Sequence, residues 1–180
     1  MAPQAKPVQP IMSPERERFM AFEGVLQWAE AVVTESERLE ALYNSNASAH
    51  RDFKVRHQLA LARHTECHFF AIAADMLIEY RDWARNFGLL PAVDFTEIDA
   101  LSSHVKDLRN MREHVVEYFQ GRGHARDRWN YQSVEGGADA GSLVGTKIGG
   151  RLDWKAFAAA VQRLLPQLWA EPIPYPSTGP

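Results

Sequence analysis

The sequence predicts an all-α fold, a helical bundle of about four main helices with a Gly-rich loop or small hairpin between the third and the fourth. Apolar residues recur at three- and four-residue spacing in four separate segments, as in amphipathic helices. Capping residues, glycines or prolines bound these segments. Because an amphipathic helix buries its apolar face only against another element, four such helices favour a bundle.

The chain of 180 residues is 46% hydrophobic and 24% charged, which is typical of one domain with a core. We expect a bundle domain over residues 13–170, with a flexible tail at 1–12 and a Pro-rich tail at 171–180. Within the domain, residues 121–152 are rich in glycine and form a predicted insertion.

The first predicted helix begins at a Ser13-Pro14-Glu15 start signal, which combines an N-cap, a first-turn proline and a first-turn acid. Its apolar face carries Phe22 and Leu26, and the Asn44-Ser45-Asn46 break ends it. We therefore expect one long amphipathic helix before residue 45.

The second predicted helix runs from near Ser48 to about Phe87, where Gly88 and Pro91 stop it. One apolar stripe is expected to face the core and comprises Phe69, Ile72, Met76, Tyr80, Trp83 and Phe87. The single cysteine, Cys67, is expected to be a buried thiol, and one cysteine excludes an internal disulfide.

The third predicted helix has a cap candidate at Asp94 or Thr96 and ends before Gly121. In the insertion, residues 129–132 are predicted to pair with residues 143–148 as a short hairpin. Asp153 is expected to cap the fourth helix, which Pro166 kinks or ends. The predicted core face of that helix comprises Trp154, Phe157, Val161, Leu164 and Leu168.

The net charge of −3 and the pI near 6.2 exclude nucleic-acid binding through bulk positive charge. Any such contact is expected to be local, and a basic group after the third helix offers one through Arg122, Arg126 and Arg128. The chain carries no long apolar run and no secretory leader, so the expected location is the cytoplasm, a reducing compartment.

A polar strip on the third predicted helix holds residues that suit acid–base chemistry. At 100° per residue, Asn110, Glu113, His114 and Glu117 lie opposite the apolar face, with Arg109 at the edge. A histidine moves protons near neutral pH, and an arginine stabilises phosphate charge.

In these residues the chain resembles the HEPN superfamily of helical-bundle proteins, whose signature is an Arg, a following polar residue and a His four to six positions beyond the Arg. Arg109, Asn110 and His114 match it on a late helix. The resemblance implies a homodimer that cleaves RNA without metal or other cofactor. It implies His114 as acid/base, Arg109 as phosphate ligand and Asn110 as the residue that orients His114 or RNA.

Alternatives stay open at this point. The same spacing recurs at Arg63 to His68 and at Arg51 to His57, and other members of the superfamily only bind nucleotides or partners. A non-catalytic interaction protein, with or without a regulatory protein partner, is the second hypothesis. The third is a metal-binding bundle that uses His57, His64 and His68 of the second helix, with Zn²⁺ or another transition metal as the ion.

Overall fold

The computed structural model describes residues 12–45, 51–114 and 142–176, together with residues 116–117, 120, 122, 131–133 and 136–138. Four helices dominate it: α1 (Pro14–Asn44), α2 (Phe53–Asn86), α3 (Thr96–Glu113) and α4 (Trp154–Ala170). The strands are β1 (Tyr131–Ser133), β2 (Gly136–Ala138), β3 (Leu143–Val144), β4 (Lys147–Ile148) and β5 (Leu152–Asp153). None of the described helices is both long and apolar enough to cross a membrane.

Consecutive helices run in opposite directions, as side-chain pairs between them show. The Arg18 guanidinium, near the start of α1, donates to the carbonyl oxygen of Phe87 at the end of α2 (3.0 Å), whereas Arg63 of α2 donates to the carbonyl of Leu42 at the end of α1. Pairs between α2 and α3, α3 and α4, and α4 and α1 follow the same antiparallel order. The four helices therefore form an up-down-up-down bundle.

Side-chain caps fix three of the helix starts. Ser13 Oγ accepts from the amide of Arg16, and Asp153 Oδ1 accepts from the amide of Ala156 (3.0 Å), which confirms the predicted starts of α1 and α4. α2 begins at Phe53, capped by Asp52, later than the Ser48 predicted; residues 46–50 lie outside the described part. The predicted end of α2 is confirmed at Asn86, since Gly88 there adopts φ +65°.

The predicted stripe of α2 is wrong in its first two residues, and its other four, Met76, Tyr80, Trp83 and Phe87, are half-buried. Phe69 and Ile72 are exposed (48% and 39%), and the buried face of α2 instead comprises Cys67, Phe70, Ala71, Ala73, Ala74, Leu77, Ile78 and Ala84. This face contains small residues, which allow α1 to approach closely. The ring of Tyr80 packs on Gly24 of α1, where a Cβ atom would lie 1.9 Å from Tyr80 Cδ1.

The segment between α3 and α4 forms strands, but not with the predicted pairing. β1 pairs with β2, whereas β3, β4 and β5 form a separate antiparallel sheet, so residues 143–148 form their own hairpin around Gly145. A turn closes that hairpin locally because Gly145 adopts φ +58°.

The fourth helix carries the predicted core face. Its five apolar residues, from Trp154 to Leu168, are all buried, as predicted. The prediction that Pro166 could end α4 is wrong, because the helix continues to Ala170.

Candidate functional site

Arg109 lies at the centre of an acidic group formed by two helices. Its Nε atom is 3.1 Å from Asp75 Oδ2 of α2 and donates to Glu113 Oε1 of α3, also at 3.1 Å. Its Nη1 atom donates to Glu79 Oε1 of α2 at 3.1 Å. Three carboxylates thus hold one guanidinium, and their opposite charge raises the pKa of Arg109.

Asp75 is the unusual member of this group because its carboxyl group is buried, with 5% of the side chain exposed. Burial raises the pKa of Asp75 to about 6, although the neighbouring Arg109 acts in the opposite direction. Within the described residues, Oδ1 of Asp75 has no hydrogen-bond partner. Asp75 can therefore gain or lose a proton near neutral pH, which is typical of groups at functional sites.

A cavity of about 310 Å³ opens beside Asp75 and Arg109, between α2 and the end of α3. Its charged and titratable lining is His68, Asp75, Arg109, Arg112 and Glu113, and its apolar lining is Ala71, Ile72 and Met76. Partial burial, the guanidinium of Arg112 and the imidazole of His64 lower the pKa of His68. The cavity combines an imidazole, two guanidinium groups and two carboxyl groups, and its volume is at the lower end of the range for small-ligand sites.

The other residues of the predicted motif lie on the same exposed end of α3. Asn110 and His114 are exposed, as the helical geometry predicts. The Nδ1 atom of His114 is 3.2 Å from Glu117 Oε2, and this contact orients the imidazole. Arg122 is exposed, whereas Arg126 and Arg128 lie outside the described residues.

The two other Arg–His spacings have structural uses. Arg63 donates from Nε and Nη2 to the carbonyl of Leu42 (3.0 and 2.8 Å), so it satisfies the C-terminus of α1. Asp52, the polar residue after Arg51, caps α2 by accepting from the amide of Lys54 at 2.7 Å. On α3, by contrast, Arg109 donates to carboxylates. Among the described contacts, the side chains of Arg109 and Asn110 do not cap the backbone of any helix.

The histidines predicted to bind metal do not converge. Across the described residues, no group of three His, Cys, Asp or Glu side chains is placed to hold a metal ion. His57 stacks on Phe53 (6.0 Å between ring centroids), His64 lines a different cavity beside Tyr43, and His68 lines the Arg109 cavity. The metal hypothesis thus gains no support from their placement.

Asp75 and Arg112 are the site residues that sequence reasoning missed as part of one site. Neither residue belongs to the predicted motif of Arg109, Asn110 and His114. The available signal is that Asp75 lies among Ala71, Ala74 and Ile78, where an acid is unexpected unless it has a partner.

Comparison with known proteins gives no match: no family model, no curated protein and no solved structure resembles the chain significantly.

Proposed function

We propose that the chain is a HEPN-like RNA-binding protein that cleaves RNA without a metal ion, through Arg109, Asn110 and His114 at the end of α3. The observation that carries this proposal is the contrast among the three Arg–His spacings. Arg63 and Asp52 cap helices in the other two, whereas on α3 the motif residues are exposed beside a cavity lined by further titratable groups.

The proposed reaction follows from the chemistry of these side chains. His114, oriented by Glu117, accepts the proton of a ribose 2′-hydroxyl while that oxygen forms a bond to the adjacent phosphorus. The bond from phosphorus to the 5′-oxygen breaks, and this oxygen takes up the proton that His114 accepted. Arg109 stabilises the charge on the phosphate oxygens, and the products are a 2′,3′-cyclic phosphate and a 5′-hydroxyl.

The acidic group around Arg109 gives the proposal a pH dependence. A phosphate must compete with Asp75, Glu79 and Glu113 for the guanidinium. Because the pKa of Asp75 is raised to about 6, one competing charge disappears as the pH falls through that value. We therefore expect RNA to bind more tightly near pH 5.5 than near pH 7.5. Arg122, with Arg126 and Arg128, is proposed to supply further phosphate contacts.

A second copy of the chain is part of the proposal. Leu61, Phe69 and Ile72 are large apolar side chains of α2 that remain exposed (55%, 48% and 39%). Exposed apolar residues that share one helix favour an interface. Because Ile72 also lines the cavity beside Arg109, a homodimer formed through this face would bring two cavities close together.

A non-catalytic interaction protein is the second candidate. The observation that favours it is that three carboxylates already neutralise the positive charge of Arg109, each within hydrogen-bonding distance of its guanidinium. An arginine compensated in this way stabilises the packing of α2 on α3 without any ligand. In that case the polar end of α3 would contact a regulatory protein partner rather than RNA.

The test is incubation of the purified chain with a mixed RNA pool in EDTA, beside the His114→Ala and His57→Ala variants. The proposal expects cleavage by the wild type and by His57→Ala, with 2′,3′-cyclic phosphate ends, and at least about a hundredfold loss in His114→Ala. Circular dichroism checks that all three proteins are equally folded. His57→Ala is the matched control because it removes the histidine of another spacing.

Absence of cleavage by a folded wild type in EDTA, at both pH 5.5 and pH 7.5, would reject the metal-independent enzyme. Retention of RNA binding in that experiment would leave an RNA-binding module, and loss of both would favour the interaction protein. Cleavage that disappears with EDTA and returns with added Zn²⁺ would instead support the metal hypothesis.

A further inference from the structure

A second surface, which shares no residue with the Arg109 cavity, lies between α1 and the segment after α4. This groove has a volume of about 490 Å³. Its lining comprises Phe19, Phe22, Glu23, Leu26, Gln27, Glu30, Trp169, Ile173 and Tyr175. Trp169, Ile173 and Tyr175 are 58%, 38% and 71% exposed, so three large apolar side chains face solvent in one place. Such clustering marks binding surfaces more often than scattered exposure does.

The aromatic side chains of the groove are held in position. The ring of Tyr175 stacks on that of Phe19, with 5.8 Å between centroids, which fixes the segment after α4 against α1. Trp169 Nε1 donates to Glu30 Oε1 at 3.3 Å. Pro172 and Pro174 restrict the backbone of the same segment. Little conformational entropy is therefore lost when a ligand binds here.

The charge of the groove indicates the charge of its ligand. Glu23 and Glu30 are acidic, and no basic residue is among the described side chains that line it. Aromatic rings attract cations through their negative faces, and carboxylates do so directly. A ligand that carries a positive charge next to an apolar surface is thus complementary to this groove.

We propose that the groove binds an extended peptide of a partner protein that carries prolines and a basic side chain. Proline-rich peptides adopt the polyproline II conformation before binding, and aromatic-lined grooves recognise their flat apolar rings. Here Trp169 and Tyr175 would pack on the prolines, and Glu23 would pair with the lysine or arginine. The proposal does not depend on ribonuclease activity, because it uses different residues.

The experiment follows the indole N–H signal of Trp169 in the ¹⁵N-labelled chain, assigned by its loss in Trp169→Phe. A synthetic peptide of proline pairs separated by single lysines is titrated in, and a second peptide has glutamate in place of each lysine. We expect the lysine peptide to shift the Trp169 signal in a saturable way and the glutamate peptide to have no effect.

Variants distinguish peptide binding in the groove from non-specific binding elsewhere on the surface. The affinity of each variant for the peptide is measured by calorimetry. Trp169→Ala is expected to weaken binding of the lysine peptide about tenfold or more, because a buried aromatic anchor dominates such interfaces. Glu23→Gln is expected to weaken it about threefold, since a rim charge contributes less. Phe53→Ala removes another exposed aromatic residue, on α2, and should bind like the wild type.

Three results would overturn the proposal. One is a wild-type chain that does not respond to the lysine peptide, and another is equal binding of both peptides. The third is a Trp169 signal that responds to dilution of the protein but not to peptide, which would assign the groove to a second copy of the chain. RNA cleavage is unaffected by any of these results, so this proposal and the proposed function fail separately.

Discussion

The interface between α2 and α3 contains two arginine ion pairs that differ in which partner is buried. In one the arginine is buried, and in the other the carboxylate is. Arg81 is buried, with 5% of its side chain exposed, and its partners Asp82 and Asp99 are about half exposed. At the other end Arg109 is 43% exposed, and its partner Asp75 is the buried group. An arginine keeps its charge at any relevant pH, whereas a buried carboxyl group can take up a proton. The first end is therefore a permanent ion pair and the second a titratable one.

The largest expected effect concerns the permanent end. Arg81→Met keeps the aliphatic part of the side chain but removes the guanidinium that donates to Asp82 Oδ1 at 3.0 and 2.7 Å. We expect the free energy of unfolding to fall by about 3 kcal/mol, because charged hydrogen bonds in a buried position are lost. Urea denaturation at pH 7 measures this. A loss that differs between pH 5 and pH 8 would contradict the description of this end as permanent.

Next in size is the proton uptake of Asp75. The folded chain holds a proton on Asp75 up to about pH 6, whereas the unfolded chain releases it near pH 3.8. Stability contributed by this group is therefore highest at low pH and falls as the pH rises from about 4 to 6. We expect the stability difference between wild type and Asp75→Asn to change by about 2 kcal/mol over this window. Urea denaturation at a series of pH values tests this, and a constant difference would contradict it.

A smaller effect is expected from the exposed arginine. Arg109→Ala leaves Asp75 buried without its counter-charge, but solvent screens the half-exposed pair, so we expect a loss of about 1 kcal/mol at pH 8. The loss should be smaller at pH 5, where Asp75 is protonated. Denaturation at both values measures this. Lys54→Ala, which removes an exposed cation near the start of α2 that is not among the charges acting on Asp75, is the control and should show no such pH difference.

The smallest effect is expected at an ion pair that is exposed on both sides. Arg163 of α4 donates from Nε to Glu97 Oε1 of α3 at 3.2 Å, and both side chains are more than half exposed. Arg163→Met should leave the unfolding midpoint unchanged within error, because water and salt screen such pairs. A clear loss of stability would mean that burial does not separate strong from weak pairs in this bundle.

Much of the fold could be predicted from local signals. Ser13 and Asp153 are capping residues whose effect acts within one turn, so the starts of α1 and α4 follow from the sequence. The apolar face of α4 is also unambiguous, since Trp154 to Leu168 form a single stripe. α2 is different because it has two apolar stripes. The stripe predicted from periodicity contains Phe69 and Ile72, which are exposed, because the neighbouring helices decide which face of α2 is buried.

The candidate site was predictable only in part, for a similar reason. Arg109, Asn110 and His114 share one helix, so helical geometry placed them together on the exposed side. The burial of Asp75 depends on how α2 packs against α3, and its contact with Arg109 spans 34 positions of the chain. Periodicity within one segment carries no information on such a contact. The predicted pairing of residues 129–132 with residues 143–148 is wrong for a similar reason, because short strands can adopt several registers.

The contact of Gly24 with the ring of Tyr80 has a consequence for the uniqueness of the fold. α1 and α2 are 31 and 34 residues long, and their buried faces are rich in alanine and other small residues along much of that length. Shifting either helix would place a residue with a side chain under the Tyr80 ring, where even one methyl group does not fit. A single glycine thus selects one axial alignment of the two longest helices and excludes the others.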